Sequence, residues 1–247
     1  MSVQLVFKLR SLTSSETAVS LEAGRTARWL AIPVVALTLA GLMVAISEAY
    51  LGAESMGMRA LTDWFGLDGE GNLIAWFSST LFVACSAFLF LEAARRRRQQ
   101  LSQAGGWWWL GALFVFLAID EAVVIHERVG SLLEPLELPG FLSFSWVIPA
   151  ALAVLIGSFL IRPLLASATP DFRRRAVRAA VLYVGGAIGF ESLSALFSES
   201  LTVFSLPYIL AATVEEGLEM TGLAYFLVAC IRMIAETAGS VRVDLTA

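Results

Sequence analysis

The sequence predicts an all-α fold, a polytopic membrane helix bundle of six transmembrane helices with both termini in the cytoplasm. Three observations predict it. The 247-residue chain is 58% hydrophobic and only 15% charged, whereas soluble domains are about one quarter charged and under half apolar. Six stretches are apolar over about 20 residues, the length that crosses roughly 30 Å of hydrocarbon. The basic residues of the intervening segments sort onto one side of those stretches.

Residues 1–28 carry Lys8, Arg10, Arg25 and Arg28 and lack a short apolar core followed by a small-residue cleavage site. They read as a cytoplasmic N-terminal segment and not as a signal peptide. The predicted spans are Trp29–Tyr50, Leu73–Ala93, Trp107–Glu127, Phe141–Ile161, Val177–Phe197 and Pro207–Ile231. Together they make a transmembrane domain over 29–235, followed by a cytoplasmic tail over 236–247. Short polar segments rich in Gly or Pro separate them: Gly66–Gly71, Pro135–Gly140 and Ala166–Asp171. Pro207 falls in the first turn of the last span, where its missing N–H does no harm.

Orientation follows from Lys and Arg. The N-terminal segment, the Arg95–Arg98 run, the segment holding Arg162, Arg173, Arg174, Arg175 and Arg178, and the tail with Arg232 and Arg242 all fall on one side. Only Arg59 and Arg128 fall on the other. This predicts a bacterial-type inner (plasma) membrane protein with both ends inside. Trp29 and Trp107–Trp109 then mark the inner interface, and Trp76 and Trp146 the outer one. Arg95–Arg98 reads as a topology anchor touching anionic lipid. Basic residues confined to short loops beside apolar spans do not suggest nucleic-acid binding, and the expected partner is the bilayer. Cys85 and Cys230 lie far apart in apolar runs and read as free core thiols.

The unusual feature is acidic. The third span contains Asp120, Glu121 and Glu127 with His126, the fifth Glu191 and Glu199, the sixth Glu215, Glu216 and Glu219, and Glu48 closes the first. At about 1.5 Å per residue, Asp120, Glu191 and Glu215 fall in one layer between the middle and the outer half, although their helices run in both directions. A charged group at a span centre costs on the order of 2.5–3.5 kcal/mol. The nearby bases are Arg59, Arg128 and His126, the only histidine. Nine carboxyls outnumber them, so the excess charge must be protonated, hydrated or neutralised by a bound cation.

On a straight helix with about 100° per residue, Asp120 with Glu127, and Glu121 with Arg128, share one face. His126 points about 120° from Asp120 and meets that face only if the helix bends. Glu215, Glu216 and Glu219 form a carboxylate stripe on the sixth span. Gly185, Gly186 and Gly189 allow the fifth span to approach closely.

The first functional reading is a divalent-metal site built from Asp120, Glu121, His126, Glu127, Glu191, Glu215, Glu216 and Glu219. Its oxygen-rich donors favour Fe, Mn, Mg or Ca over Zn. Such a metal could activate water or oxygen against a lipid-like substrate. The Glu-x-x-His pairs of di-iron bundles are missing, and no catalytic residue is identified. The second reading is a proton-coupled or cation transporter. The third is a structural or assembly subunit of a larger membrane complex, with a membrane-protein partner or further copies of itself satisfying the acids. No phosphate loop, dinucleotide fingerprint or Gly-x-Ser-x-Gly nucleophile motif is present.

Overall fold

The protein is an apolar helical bundle with a small sheet joining its two ends. A computed structural model describes residues 4–10, 16–52, 55–67, 69, 71–133, 140–238 and 240–244. Strands β1 (Gln4–Arg10) and β2 (Glu16–Glu22) pair antiparallel. Strand β3 (Ser240–Asp244) joins the other edge of β1, parallel to it. Alternating sequences such as Val19-Ser20-Leu21 and Val241-Arg242-Val243 suit extended backbone. The predicted N-terminal segment and tail thus contain structure that their length and charge did not reveal.

Helix α1 (Ala23–Leu51) follows β2 directly and starts six residues before the predicted span. Helix α2 (Met56–Phe65) is an addition. It turns Met58, Thr62 and Phe65 inward and leaves Met56, Leu61 and Trp64 exposed. This amphipathic spacing fits a helix lying in the membrane interface, so Arg59 sits on a helix and not in a loop. Ser55 caps it by accepting the Met58 N–H.

Helix α3 (Leu73–Arg98) is capped by Asn72, whose Oδ1 accepts the N–H groups of Ile74 and Ala75. It runs through the whole arginine run, which was expected to be a loop. Glu92 is fully buried there and binds Arg95 through two contacts of 2.7 Å and Arg96 at 2.6 Å. Arg96 also donates to the carbonyls of Ser102 and Ser167 and lies over the Trp107 ring. Of the four arginines, only Arg97 and Arg98 stay exposed. Likewise Trp107 is buried while Trp108 and Trp109 face outward.

Helix α4 (Ala104–Val123) ends at Val124, and a short helix α5 (Ile125–Ser131) follows. The Pro135–Gly140 connection lies outside the described residues except for Gly140. A 3-10 turn (Gly140–Leu142) leads to α6 (Val147–Leu160) and α7 (Arg162–Ser167). The predicted fourth span is thus shortened to 14 helical residues, about 21 Å at the α-helical rise.

Helix α8 (Pro170–Val184) passes through a π-helical turn (Gly185–Phe190) into α9 (Glu191–Ser200). Helix α10 (Leu206–Ala238) completes the bundle. It is the central helix, packed on α1, α3, α8 and α9, and encloses Met220, Cys230, Ile231 and Ile234. Five helical segments are long and apolar enough to cross a membrane: α1, α3, α4, the α8–α9 unit and α10. Cys85 and Cys230 are buried free thiols.

Candidate functional site

The break in the third span builds the first part of the site. Val124 sits in the left-handed region at φ 59°, ψ 49°, a costly conformation for a β-branched residue. Asp120 holds both sides of the break. Its carbonyl accepts the Val124 N–H at 2.7 Å, and its carboxylate accepts the His126 N–H at 2.8 Å. The same carboxylate lies 3.1 Å from His126 Nδ1. The expected face of a straight helix is therefore corrected. The bend brings His126 onto Asp120, and Glu127 and Arg128 swing to exposed positions away from it.

His126 then packs on Trp146, with ring centres 4.6 Å apart. Trp146 is held just before α6 because Ser145 donates to the Gly130 carbonyl at 2.7 Å. A Cβ on Gly130 would come within 2.9 Å of Trp146 Cβ, so only glycine admits this contact. The indole N–H of Trp146 donates to Glu191 Oε1 at 3.0 Å. Trp146 thus turns into the protein instead of serving only as an outer-interface anchor.

Glu191 is the first residue after the π turn, a local widening of the helix that often marks functional sites. Its carboxyl lies beside that of Glu215 on α10. Glu215 Oε2 also accepts the Ser194 hydroxyl at 3.1 Å. Close approach of the two helices depends on Gly186, where a Cβ would lie 2.8 Å from the Glu215 carbonyl and 2.9 Å from Glu219 Cγ. The expected role of glycine belongs to Gly186 alone, because a Cβ on Gly185 or Gly189 would meet nothing within 4 Å.

A second group surrounds Tyr183. Asp120 and Glu121 from α4, and Glu216 and Glu219 from α10, all act electrostatically on its hydroxyl, while its ring packs edge-on to Phe82 at 5.4 Å. Glu48 lies apart and accepts the Thr62 hydroxyl at 3.3 Å. Glu199 is exposed and accepts the Gly140 N–H.

Separate helices therefore contribute one connected series: Asp120, His126, Trp146, Glu191, Glu215 and Ser194. Among the described residues, no three or more carboxylate, His or Cys side chains are arranged to hold a metal ion. Trp146, Tyr183 and Ser194 were not singled out from the sequence as site residues. Trp146 read as a residue of the outer aromatic belt. Tyr183, an isolated phenol within an apolar span, was the signal available.

The architecture defines the class, a multi-helix protein whose apolar segments are compatible with membrane integration. Within that class the chain belongs to the family described as Domain of unknown function (DUF8692), whose match covers residues 29–234. No curated protein and no solved structure matches the chain.

Proposed function

We propose that this chain is a six-span membrane protein with both termini in the cytoplasm, and that its carboxyl–histidine series moves protons or couples their movement to a transported cation. The observation that carries this reading is the meeting of the Glu191 and Glu215 carboxyls from different helices, one accepting the Trp146 indole N–H and the other the Ser194 hydroxyl. Two neighbouring carboxyls repel each other when both are charged, which favours a shared proton. Asp120 on His126 and Ser194 on Glu215 join groups able to donate or accept a proton, while the Trp146 indole only donates a hydrogen bond that orients Glu191.

The pairing of β1 with β3 supports the six-span topology. It joins the segment leading into α1 to the one leaving α10, and ends on one side require an even number of crossings. The five long helices need one more, and α6 with α7 supplies a nearly continuous helical stretch over 147–167. The one-sided distribution of Lys and Arg supports a cytoplasmic assignment of that shared side in a bacterial-type inner membrane.

Reconstituted liposomes containing a pH-sensitive dye test the reading. Wild-type protein should dissipate an imposed proton gradient faster than Glu191→Gln or Glu215→Gln. Equal rates for all three would refute it.

The gathering of Asp120, Glu121, Glu216 and Glu219 near Tyr183 favours a second reading. In it a divalent ion, Fe, Mn, Mg or Ca before Zn, occupies that region and serves a reaction on a lipid-like substrate. Elemental analysis of wild type and Glu216→Gln/Glu219→Gln separates the two. Stoichiometric metal lost in the variant supports the metal site, and a metal-free wild type removes it. A protein that neither conducts protons nor binds metal would instead fit the assembly-subunit reading.

A further inference from the structure

On α8, Arg174, Val177, Arg178, Val181 and Leu182 fall at i, i+3, i+4, i+7 and i+8, a single stripe of the helix. The stripe changes character along its length. Its first half is basic, and Arg173 beside it is exposed as well. Its second half is aliphatic, with Val177 48% and Val181 67% exposed. Val177, Arg178, Val181 and Leu182 line a shallow groove whose opposite wall is Tyr225 of α10. Arg175, close to Tyr225, holds Asp171 at 2.7 Å. Asp171 thereby spends its charge mainly on Arg175 and reaches Arg174 only at 3.8 Å. No carboxylate among the described residues ion-pairs with Arg178.

We infer that this groove holds an anionic phospholipid, with its phosphate between Arg174 and Arg178 and one acyl chain along Val181 and Leu182 against Tyr225. Charge complementarity names the occupant. A helix entering the bilayer presents cations at its polar end and an open apolar channel beyond them, over about 12 Å from Arg174 to Leu182. A phospholipid has the same order of chemistry along its length, and a basic pocket between membrane helices is where an anionic headgroup gains most. Arg97 and Arg98 on α3 are also exposed, but they do not line this groove. They provide the control for nonspecific attraction.

The test is native mass spectrometry of the full chain, released from detergent carrying phosphatidylglycerol in phosphatidylcholine. Wild type should retain phosphatidylglycerol. Arg174→Gln/Arg178→Gln should weaken retention about 30-fold, the factor expected for two arginines near the surface. Val181→Trp, a lipid-facing change that leaves the core intact, should weaken it with the charge unchanged. Arg97→Gln/Arg98→Gln should stay near wild type. Equal losses in the two arginine pairs would overturn the site, as would retention unaffected by Val181→Trp. Displacement by inorganic phosphate as readily as by phosphatidylglycerol would remove the acyl chain from the proposal. A dimer that phosphatidylglycerol cannot dissociate would assign the groove to a second copy of the chain.

Discussion

Replacing Glu92 tests how the inner end of the bundle is held. Its side chain is 1% exposed and those of Arg96 and Arg95 are 7% and 15%. Glu92→Ala leaves the Arg96 guanidinium enclosed with only the Ser102 and Ser167 carbonyls as acceptors, each at 2.9 Å. Removing one partner of a buried ion pair costs about 3–5 kcal/mol. Arg95, at the rim, adds about 0–1 kcal/mol. At roughly 2–4 °C per kcal/mol for a chain of this size, the melting temperature in detergent should fall by about 6–24 °C. Glu92→Gln should cost less, because the amide oxygen still accepts one hydrogen bond. The assay is thermal unfolding followed by circular dichroism, extended to the cycle of Glu92→Gln, Arg96→Gln and both together. The double variant should be less destabilised than the sum of the single ones by at least about 0.5 kcal/mol, the lower end of coupling between residues in contact. Additive effects, or a Glu92→Ala loss below about 1 kcal/mol, would refute the reasoning.

Other substitutions test the site. Gly186→Val should separate α10 from the π turn and cost about 1–3 kcal/mol from overpacking, read as a lower unfolding temperature. Gly189→Ala, where a Cβ meets nothing, should leave that temperature near wild type. Val124→Gly should relieve the left-handed strain and stabilise by up to about 1 kcal/mol after its unfolded-state entropy is counted; a loss of stability would place the strain elsewhere. Asp120→Ala removes the acceptor of the His126 N–H and should expose the α4–α5 junction, read as faster amide exchange at residues 124–128. Trp146→Phe keeps the His126 ring contact and removes the donor to Glu191, so it should alter the pH profile of proton flux more than protein stability.

The apolar periodicity exposed the long helices because a membrane span leaves its signature in a single contiguous window. It failed where structure depends on partners. The α2 helix is short and amphipathic, and its mixed residues look like a loop until Thr62 meets Glu48. The strands at the ends need one another, and parallel pairing across most of the chain leaves no local mark. Counting residues predicted that Asp120, Glu191 and Glu215 share a depth, and the proximity of Glu191 to Glu215 accords with that for those two. The union of His126 with Asp120 was not, because nothing in Val124 announces a left-handed backbone. The bend was recognised only as a condition for His126 to join the acids. Arg95 and Arg96 misled for the same reason: a run of four arginines reads as solvated until a buried Glu92 turns two of them inward.

The π turn over Gly185–Phe190 works as a phase shifter. Compared with an unbroken α-helix it holds surplus chain, so everything after it is rotated by about the angle of one residue, roughly 100°. Glu191 and Ser194 face α10 through that offset, while Arg174 and Arg178 upstream keep their own azimuth. Deleting one residue from the turn would leave two sound helical halves, yet it would sweep the Glu191 carboxyl from Glu215 toward another sector of the bundle. The distance between the ends of this helix is thus set by its length, and the meeting of its polar groups by a single stored residue.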